Sequence, residues 1–539
     1  MDRHIDKATA LVINGNATAR SVMVSQLRDL GIGQVHQVSR IAEARLRLER
    51  VAADIVLCDD HFEGSEMSGQ DLLDELRREA LLPYSTVFIM VIGEATYARV
   101  VEAAEAALDG VLIRPYTTAV LAERLREARK RKRALKAVFD AVADNDLVNA
   151  IRLCMSRFRQ LESYGLFCAR LGGELLLRLD RCDEARQLFT EIAGTAPVRW
   201  ASLGAARALH AGGDGVGARR AVESLIEQGD DSADALDVLG HIRVDQGDFE
   251  QALLTYRMAS QKTPGCLLRL QHCATLAFYE GHTNEALRLL ERTIATGLKS
   301  KLFDALTLML VALIRFDAGD SKALSRLQTQ LQQFVQRHAQ SARLRRFDTG
   351  ITALRDALLG QPASAQALVT TLLDESRLED FDLEGANLTL ALLARVPATQ
   401  DSPVFDLVPV RRLAMRFSTS KAITEALVAS ARGLAGAEEV IRQCHGEIAT
   451  MAEKSLLFSV RGQPEQAVRT LLAQGEATRN AKLIDMAQQV LRRHQAVIGD
   501  TSELGALAYD MQRRLCHPVT HIAGVRRTGR SPGGMVVRA

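Results

Sequence analysis

Four alanines, Ala185, Ala218, Ala252 and Ala286, stand 33, 34 and 34 residues apart, each near the start of an amphipathic stretch with helical periodicity. No other feature constrains the fold as strongly. A unit of this length holds two helices but cannot bury its own hydrophobic face, so it is stable only when stacked on its neighbours. Added length then means added repeats and not a wider core. This accounts for the composition: 539 residues would suit about three ordinary domains, yet only 4% of the residues are aromatic. Large single cores lean on Phe, Tyr and Trp, whereas stacked helix pairs fill the space between them with Ala and Leu.

The clearest unit spans 233–266 and carries Leu239-Gly240, Gly247-Asp248, Ala252, Tyr256, Ala259 and Pro264. These residues at this spacing resemble the tetratricopeptide (TPR) repeat. Its chemistry is packing: Gly240 and Ala252 are small where the two helices of a unit cross, Ala259 is small where the next helix arrives, and Pro264 ends the second helix. The unit before it has Trp200, Leu203 and Gly204 with Ala218, and the one before that has Gly173, Ala185, Phe189 and Pro197. Glu285, Ala286 and Leu290 mark the fourth. Trp200 reads as a repeat core residue. Beyond about residue 301 the pattern loosens to turn-plus-helix units at Gly319-Asp320 with Ala323, Gly360-Gln361 with Ala365 or Ala367, and Gly462-Gln463-Pro464 with Ala467. The expected organisation is TPR repeats over 146–300, degenerate repeats over 301–396, a proline-containing loop, C-terminal TPR-like helices over 410–512 and a disordered basic tail over 513–539.

Residues 1–120 read differently. Short apolar runs at 9–13, 34–37, 55–58, 87–92 and 111–113 alternate with helical stretches ending near Leu30 and covering 41–49, 70–79 and 95–107, and a further helix follows Pro115. Strands alternating with helices imply a doubly wound, five-stranded parallel sheet, because helical crossovers cover both faces. In such sheets the functional crevice lies beyond the carboxyl ends of the strands. Those ends carry Asn14, Asp59, Ile92 and Arg114.

Leu11-Val12-Ile13 leading into a polar loop, Val56-Leu57-Cys58-Asp59 with Gly69 ten residues on, and Arg114-Pro115-Tyr116 after the fifth strand resemble the receiver domain of two-component response regulators, of the chemotaxis-regulator, flavodoxin-like type. The resemblance covers about residues 8–130. It implies that Asp59 is the candidate phosphoacceptor, with Mg²⁺ held by it and by an acidic pair after the first strand. It also implies a Thr or Ser at the end of the fourth strand and a Lys before the proline after the fifth. The chain departs from each of these partners: Asn14 and Gly15 replace the acidic pair, Ile92 the hydroxyl and Arg114 the lysine. Mg²⁺ prefers near-octahedral oxygen ligands, and of the family's set only Asp59 remains, with Asp60 or Glu63 as substitutes. Ile92 has no hydroxyl to donate, and a guanidinium is a wide planar fork where an ammonium is compact. Two readings of Asp59 stay open: a phosphoacceptor with a weak or altered Mg²⁺ requirement, or the remnant of one in a pseudo-receiver.

A basic run from Arg124 to Lys136 occupies a linker helix expected over 121–145 and expected to run on from Thr118 toward Phe139. A run of this kind is a solvated face or a nonspecific nucleic-acid contact; without interleaved aromatics it does not read bases. Eight cysteines without a C-x-x-C pair read as reduced core thiols, and no Walker, H-E-x-x-H or G-x-S-x-G motif occurs. No apolar run approaches the roughly 18 residues of a membrane span, and the start MDRHIDKATA lacks the apolar segment of a secretory signal. The chain is therefore expected to be cytoplasmic and not an enzyme. The combination implies a phosphorelay protein whose TPR groove binds a protein partner, with a sensor histidine kinase or another receiver at the input side. The alternatives are a phosphorylation-independent scaffold or a nucleic-acid-binding regulator acting through the linker and tail.

Overall fold

The computed structural model describes residues 5–516 except 51–52, 63–68, 70–71, 74–75, 77–81, 84, 94–108, 196–197, 230–231, 263–265, 299–302, 397–406 and 500. Pro197, Pro264, Glu63, the expected helix at 95–107, most of the proline-containing loop and all but the start of the tail therefore lie outside the described residues.

The first unit is a five-stranded parallel sheet of β1 (Thr9–Ile13), β2 (Gln34–Val38), β3 (Ile55–Asp59), β4 (Val87–Ile92) and β5 (Gly110–Ile113) in the order β2-β1-β3-β4-β5. β3 and β4 are buried at every residue, and the two-residue period of a strand divides their side chains between two cores. Leu11, Ile13, Val56, Cys58, Phe88 and Met90 meet Ile41, Ala44 and Leu48 of helix Ile41–Arg50. Ala10, Val12, Ile55, Leu57, Ile89 and Val91 meet helices Ala17–Asp29 and Thr118–Ala134. The crossover from β1 through Ala17–Asp29 to β2 starts with Asn16, whose side chain accepts the Ala19 amide as an N-cap.

The expected continuous linker helix is interrupted. Thr118–Ala134 ends at Leu135, with φ −103° and ψ 13°, and a new helix covers Lys136–Ala143. At this point one continuous apolar stripe passes from the first core to the second. Leu121, Leu125 and Ala128 are buried against the sheet, whereas Leu135, Val138 and Phe139 are buried against the helical region. The basic run is also less solvated than expected. Asp109, at the foot of β5, pairs with both Arg131 and Lys132 at 3.0 Å. The same two cations lie over the rings of Phe167 and Phe139 at 5.1 and 4.9 Å.

In the repeat region, first helices Gly165–Arg178, Arg199–Ala211, Ala233–Asp245 and Leu267–Tyr279 each begin 34 residues after the last. Second helices Cys182–Thr195, Gly215–Glu227, Phe249–Lys262 and Thr283–Gly297 carry the four period-marking alanines, all fully buried. The small residues are dictated by aromatic rings. A Cβ at Gly173 would lie 2.3 Å from Phe189 and one at Gly204 2.7 Å from the same ring, so Phe189 is held between consecutive first helices. Gly240 faces Tyr256 in the same way, at 2.8 Å, so the ring of Tyr256 and not Ala252 is what excludes a side chain there. Ala259 is fully buried. Trp200 is half-buried, edge-on to Phe189 at 6.2 Å and beneath Arg170. In the degenerate unit at Gly360 the buried anchor is Ala365, and Ala367 is exposed.

The array then folds back on itself. Helix Lys421–Ser430 touches Ala233–Asp245, Leu267–Tyr279 and Leu383–Leu393, and a single hydrophobic cluster runs from Val244 to Cys444. Arg432 closes the contact by donating to the Tyr279 carbonyl at 2.7 Å. Leu267–Tyr279 and Leu383–Leu393 are consequently buried nearly all round. A helix lining an open groove would be exposed along one stripe, so over these helices the expected groove is filled by the chain itself. Among the described residues no helix is long and apolar enough to cross a membrane.

Candidate functional site

The parallel register brings Asn14, Asp59, Ile92 and Arg114 together at the carboxyl end of the sheet: Ile13 pairs with Cys58, Asp59 with Val91, and Ile92 with Ile113. Asp59 is 7% exposed. Its Oδ2 accepts from Asn14 Nδ2 and from an Arg114 guanidinium nitrogen, both at 2.8 Å. Its Oδ1 accepts from the Asp60 backbone amide at 3.1 Å.

Each partner is positioned in turn. Asn14 is fully buried; its Oδ1 accepts the Asn16 amide at 2.8 Å, and its carbonyl accepts from Arg20 at 2.6 Å. The amide oxygen is therefore turned into the loop and the NH₂ toward Asp59. Arg114 is held from below by its backbone N–H, which donates to the Ile92 carbonyl at 2.9 Å. Gly69 closes the other side, where a Cβ would come 2.2 Å from the Asp59 carbonyl oxygen and 2.9 Å from Cys58 Sγ. Burial pushes the Cys58 thiol well above its ordinary pKa, with the charges of Asp59 and Asp60 adding to the rise, so this sulfur is unreactive. Burial likewise raises the Tyr116 phenol against the opposing pull of Arg114.

The donor set does not fit Mg²⁺. A hard cation needs several oxygens around it. Here Asn14 presents nitrogen, Ile92 is packed in the core at 1% exposure, and the cation at Asp59 is Arg114. Gly15 is exposed, and a Cβ there would meet only ordinary contact, 3.8 Å from Phe62. Packing therefore does not explain the missing carboxylate at that position. Asp60 contributes its backbone amide to the site, and Glu63 lies outside the described residues. What the arrangement does chemically is neutralise one buried carboxylate with an internal guanidinium and an amide, which fills both lone pairs of Oδ2 and leaves Oδ1 with the single Asp60 amide.

The sequence placed Asn14, Asp59, Ile92 and Arg114 at one crevice, but gave no sign that Asn14 and Arg114 both bind the same oxygen. It also missed a second cluster, His210, His241 and Asp245. The signal was present as His241 and Asp245 four residues apart on one helix.

A five-stranded parallel sheet of order 2-1-3-4-5 with an aspartate at the end of its third strand defines a receiver-type α/β module. A family profile for the response regulator receiver domain matches residues 10–126. The chain is 31% identical over 115 residues to chemotaxis protein CheY-3 of Vibrio cholerae serotype O1, an alignment spanning 21% of this chain and 86% of that protein. It is 30% identical over 121 residues to chemotaxis protein CheY of Pseudomonas aeruginosa, covering 22% and 95%. Through its N-terminal domain the chain belongs to the response regulator receiver family, and so to response-regulator signalling. For the helical region, the solved structure of a tetratricopeptide repeat protein from Parabacteroides merdae ATCC 43184 is similar at 14% identity and a TM-score of 0.31, over 44% of this chain and 90% of that one. A likeness at that score carries no argument; the repeat architecture rests on the helix pairing described above.

Proposed function

We propose that this protein is a response-regulator-type adaptor in which the receiver works without phosphoryl transfer and the TPR-type array binds a protein partner. The observation that carries the reading is the double hydrogen bond of Asn14 and Arg114 to Asp59 Oδ2. These two donors neutralise the carboxylate and hold the oxygen that would otherwise face a metal, and among the described residues no second side-chain carboxylate hydrogen-bonds into the site. Losing one or two stabilisers of developing charge costs several kcal/mol in barrier, about 3 each. The partner face in this reading is the stripe of first helices from Gly165 to Asp245, of which Lys421–Ser430 packs on the last. The protein performs no chemistry of its own. Nucleic-acid binding by the linker is the weaker reading, because Arg131 and Lys132 are already engaged by Asp109.

The test is incubation of the full chain with Mg²⁺ and acetyl phosphate, followed by intact-mass analysis, alongside thermal melts with beryllofluoride. The expected result is no adduct and no shift of the receiver transition in either case. An acyl-phosphate on Asp59, absent in Asp59→Ala, would return the protein to the phosphorelay reading.

A further inference from the structure

Among the described residues, one group of side chains brings metal-ligating atoms together, and it stands apart from the receiver site. His210 is the penultimate residue of helix Arg199–Ala211, and His241 and Asp245 lie four apart near the end of Ala233–Asp245, on one face. Consecutive first helices pack side by side, and this places the three ligand atoms within 4.8 Å of one another. His210 Nε2 is 2.8 Å and His241 Nε2 3.6 Å from the same oxygen, Asp245 Oδ2. The two imidazoles stand edge to face, with centres 5.3 Å apart and planes at 86°. Asp245 is two-fifths exposed, so the cluster opens to solvent.

We propose that His210, His241 and Asp245 form a divalent transition-metal site of the Zn²⁺ class, joining two consecutive repeats. Geometry, donor chemistry and electrostatics each support it. Two imidazoles bound end-on to one tetrahedral ion at about 2.0–2.1 Å have ring centres about 5 Å apart and ligand atoms about 3.4 Å apart. The ring centres here are 5.3 Å apart, and the two imidazole-to-carboxylate separations, 2.8 and 3.6 Å, lie on either side of the ligand-atom value. Two imidazoles and one carboxylate suit Zn²⁺ and its neighbours in the first transition row and leave a fourth position for water or an incoming ligand, whereas Mg²⁺ and Ca²⁺ want oxygen. The position in the fold adds an electrostatic argument. Both first helices end at the cluster, where the carbonyl ends of the helix dipoles disfavour an anion. Asp245 stands in the last turn against that field, and a dication between the two helix ends reverses the sign of the interaction. The plain alternative is a neutral imidazole donating to a carboxylate. It accounts for the 2.8 Å contact of His210, whereas a metal would use both imidazoles and the carboxylate at once.

The experiment uses the full chain stripped with a chelator and titrated with Zn²⁺ against a chromophoric competitor, in parallel with His210→Ala and His241→Ala. Wild type is expected to take up one equivalent more than either variant, and to melt at higher temperature with Zn²⁺ while the variants do not respond. Loading with Co²⁺ provides a second readout: a four-coordinate site gives intense visible absorption, lost in both variants. Should an alanine variant fail to fold, His241→Gln and Asp245→Asn keep the side-chain size and polarity while removing a ligand. Equal stoichiometry in wild type and folded variants, or a Co²⁺ spectrum unchanged by the substitutions, overturns the proposal.

Discussion

At the scale of single residues the receiver site illustrates how one substitution constrains the next. Asn14 and Arg114 are separated by 100 positions in the chain, yet both donate to one oxygen of Asp59. Reversing the first should expose the dependence. Asn14→Asp removes a donor and sets a carboxylate within hydrogen-bond distance of another, both buried. The receiver is expected to lose about 2–3 kcal/mol, followed as the urea midpoint of its transition. Millimolar Mg²⁺ should return part of that loss, because the exchange recreates the second acidic oxygen that a hard cation needs. A variant as stable as wild type without Mg²⁺ would mean the buried amide contributes nothing. Much of this site was legible in the sequence. The strand ends could be read from apolar runs, and the departures from the receiver pattern follow from residue type alone. The orientation of Asn14 could not be read, because it depends on Arg20 and the Asn16 amide gripping its oxygens. That is a loop geometry and not a composition.

At the scale of elements, the 34-residue period proved to be an alternation of glycine and aromatic ring. Phe189 is clamped by Gly173 from its own unit and by Gly204 from the next. Two effects oppose each other in Gly204→Ala. Alanine gains about 1 kcal/mol of helix propensity, while a Cβ 2.7 Å from the ring forces overpacking worth about 1–3 kcal/mol. Overlap this deep with a buried ring should dominate, giving net destabilisation in equilibrium unfolding. In a Phe189→Leu background the same change should become neutral or favourable, since the smaller side chain vacates the space. A gain in stability on the wild-type background would show that the ring yields. The sequence exposed the repeats because small residues and turn glycines recur at fixed offsets; Gly247, Gly281 and Gly319 all have φ between +72° and +81° at the end of a first helix. In the earliest units Asn145 and Asp180 take that left-handed position instead, so the turn glycine does not mark those units. The break at Leu135 was not legible, because a run of good helix formers continues through it and the apolar stripe of Leu121, Leu125, Ala128, Leu135 and Phe139 keeps its helical spacing across it.

At the scale of the whole molecule, the closure of the array onto itself was invisible in the sequence. It depends on contacts such as Arg432 to the Tyr279 carbonyl, 153 residues apart, and long separations leave no periodic trace. Open repeat arrays unfold progressively from their ends, since each unit contacts only its neighbours. Here the shared cluster from Val244 to Cys444 should make the middle of the array unfold as one unit. Arg432→Ala, losing a hydrogen bond worth about 1 kcal/mol, is expected to loosen that unit. Native-state hydrogen exchange should then show helix Lys421–Ser430 opening before Leu267–Tyr279, whereas in wild type the two should share one opening free energy. Simultaneous protection loss in the variant would mean the arginine is incidental to closure.

The junction at Leu135 bears on how the two halves of the protein address their surroundings. A flexible tether joins two modules by raising the effective concentration of one near the other, and it tolerates changes in length. Here one non-helical residue separates two helices, and Asp109 holds Arg131 and Lys132 just before it, against Phe167 of the first repeat helix and Phe139 just beyond. Such a joint transmits phase. One extra residue in Lys136–Ala143 would turn everything after it by about 100° relative to the receiver, so the surfaces that the two halves offer are set as a single stereochemical pattern and not as two separate ones.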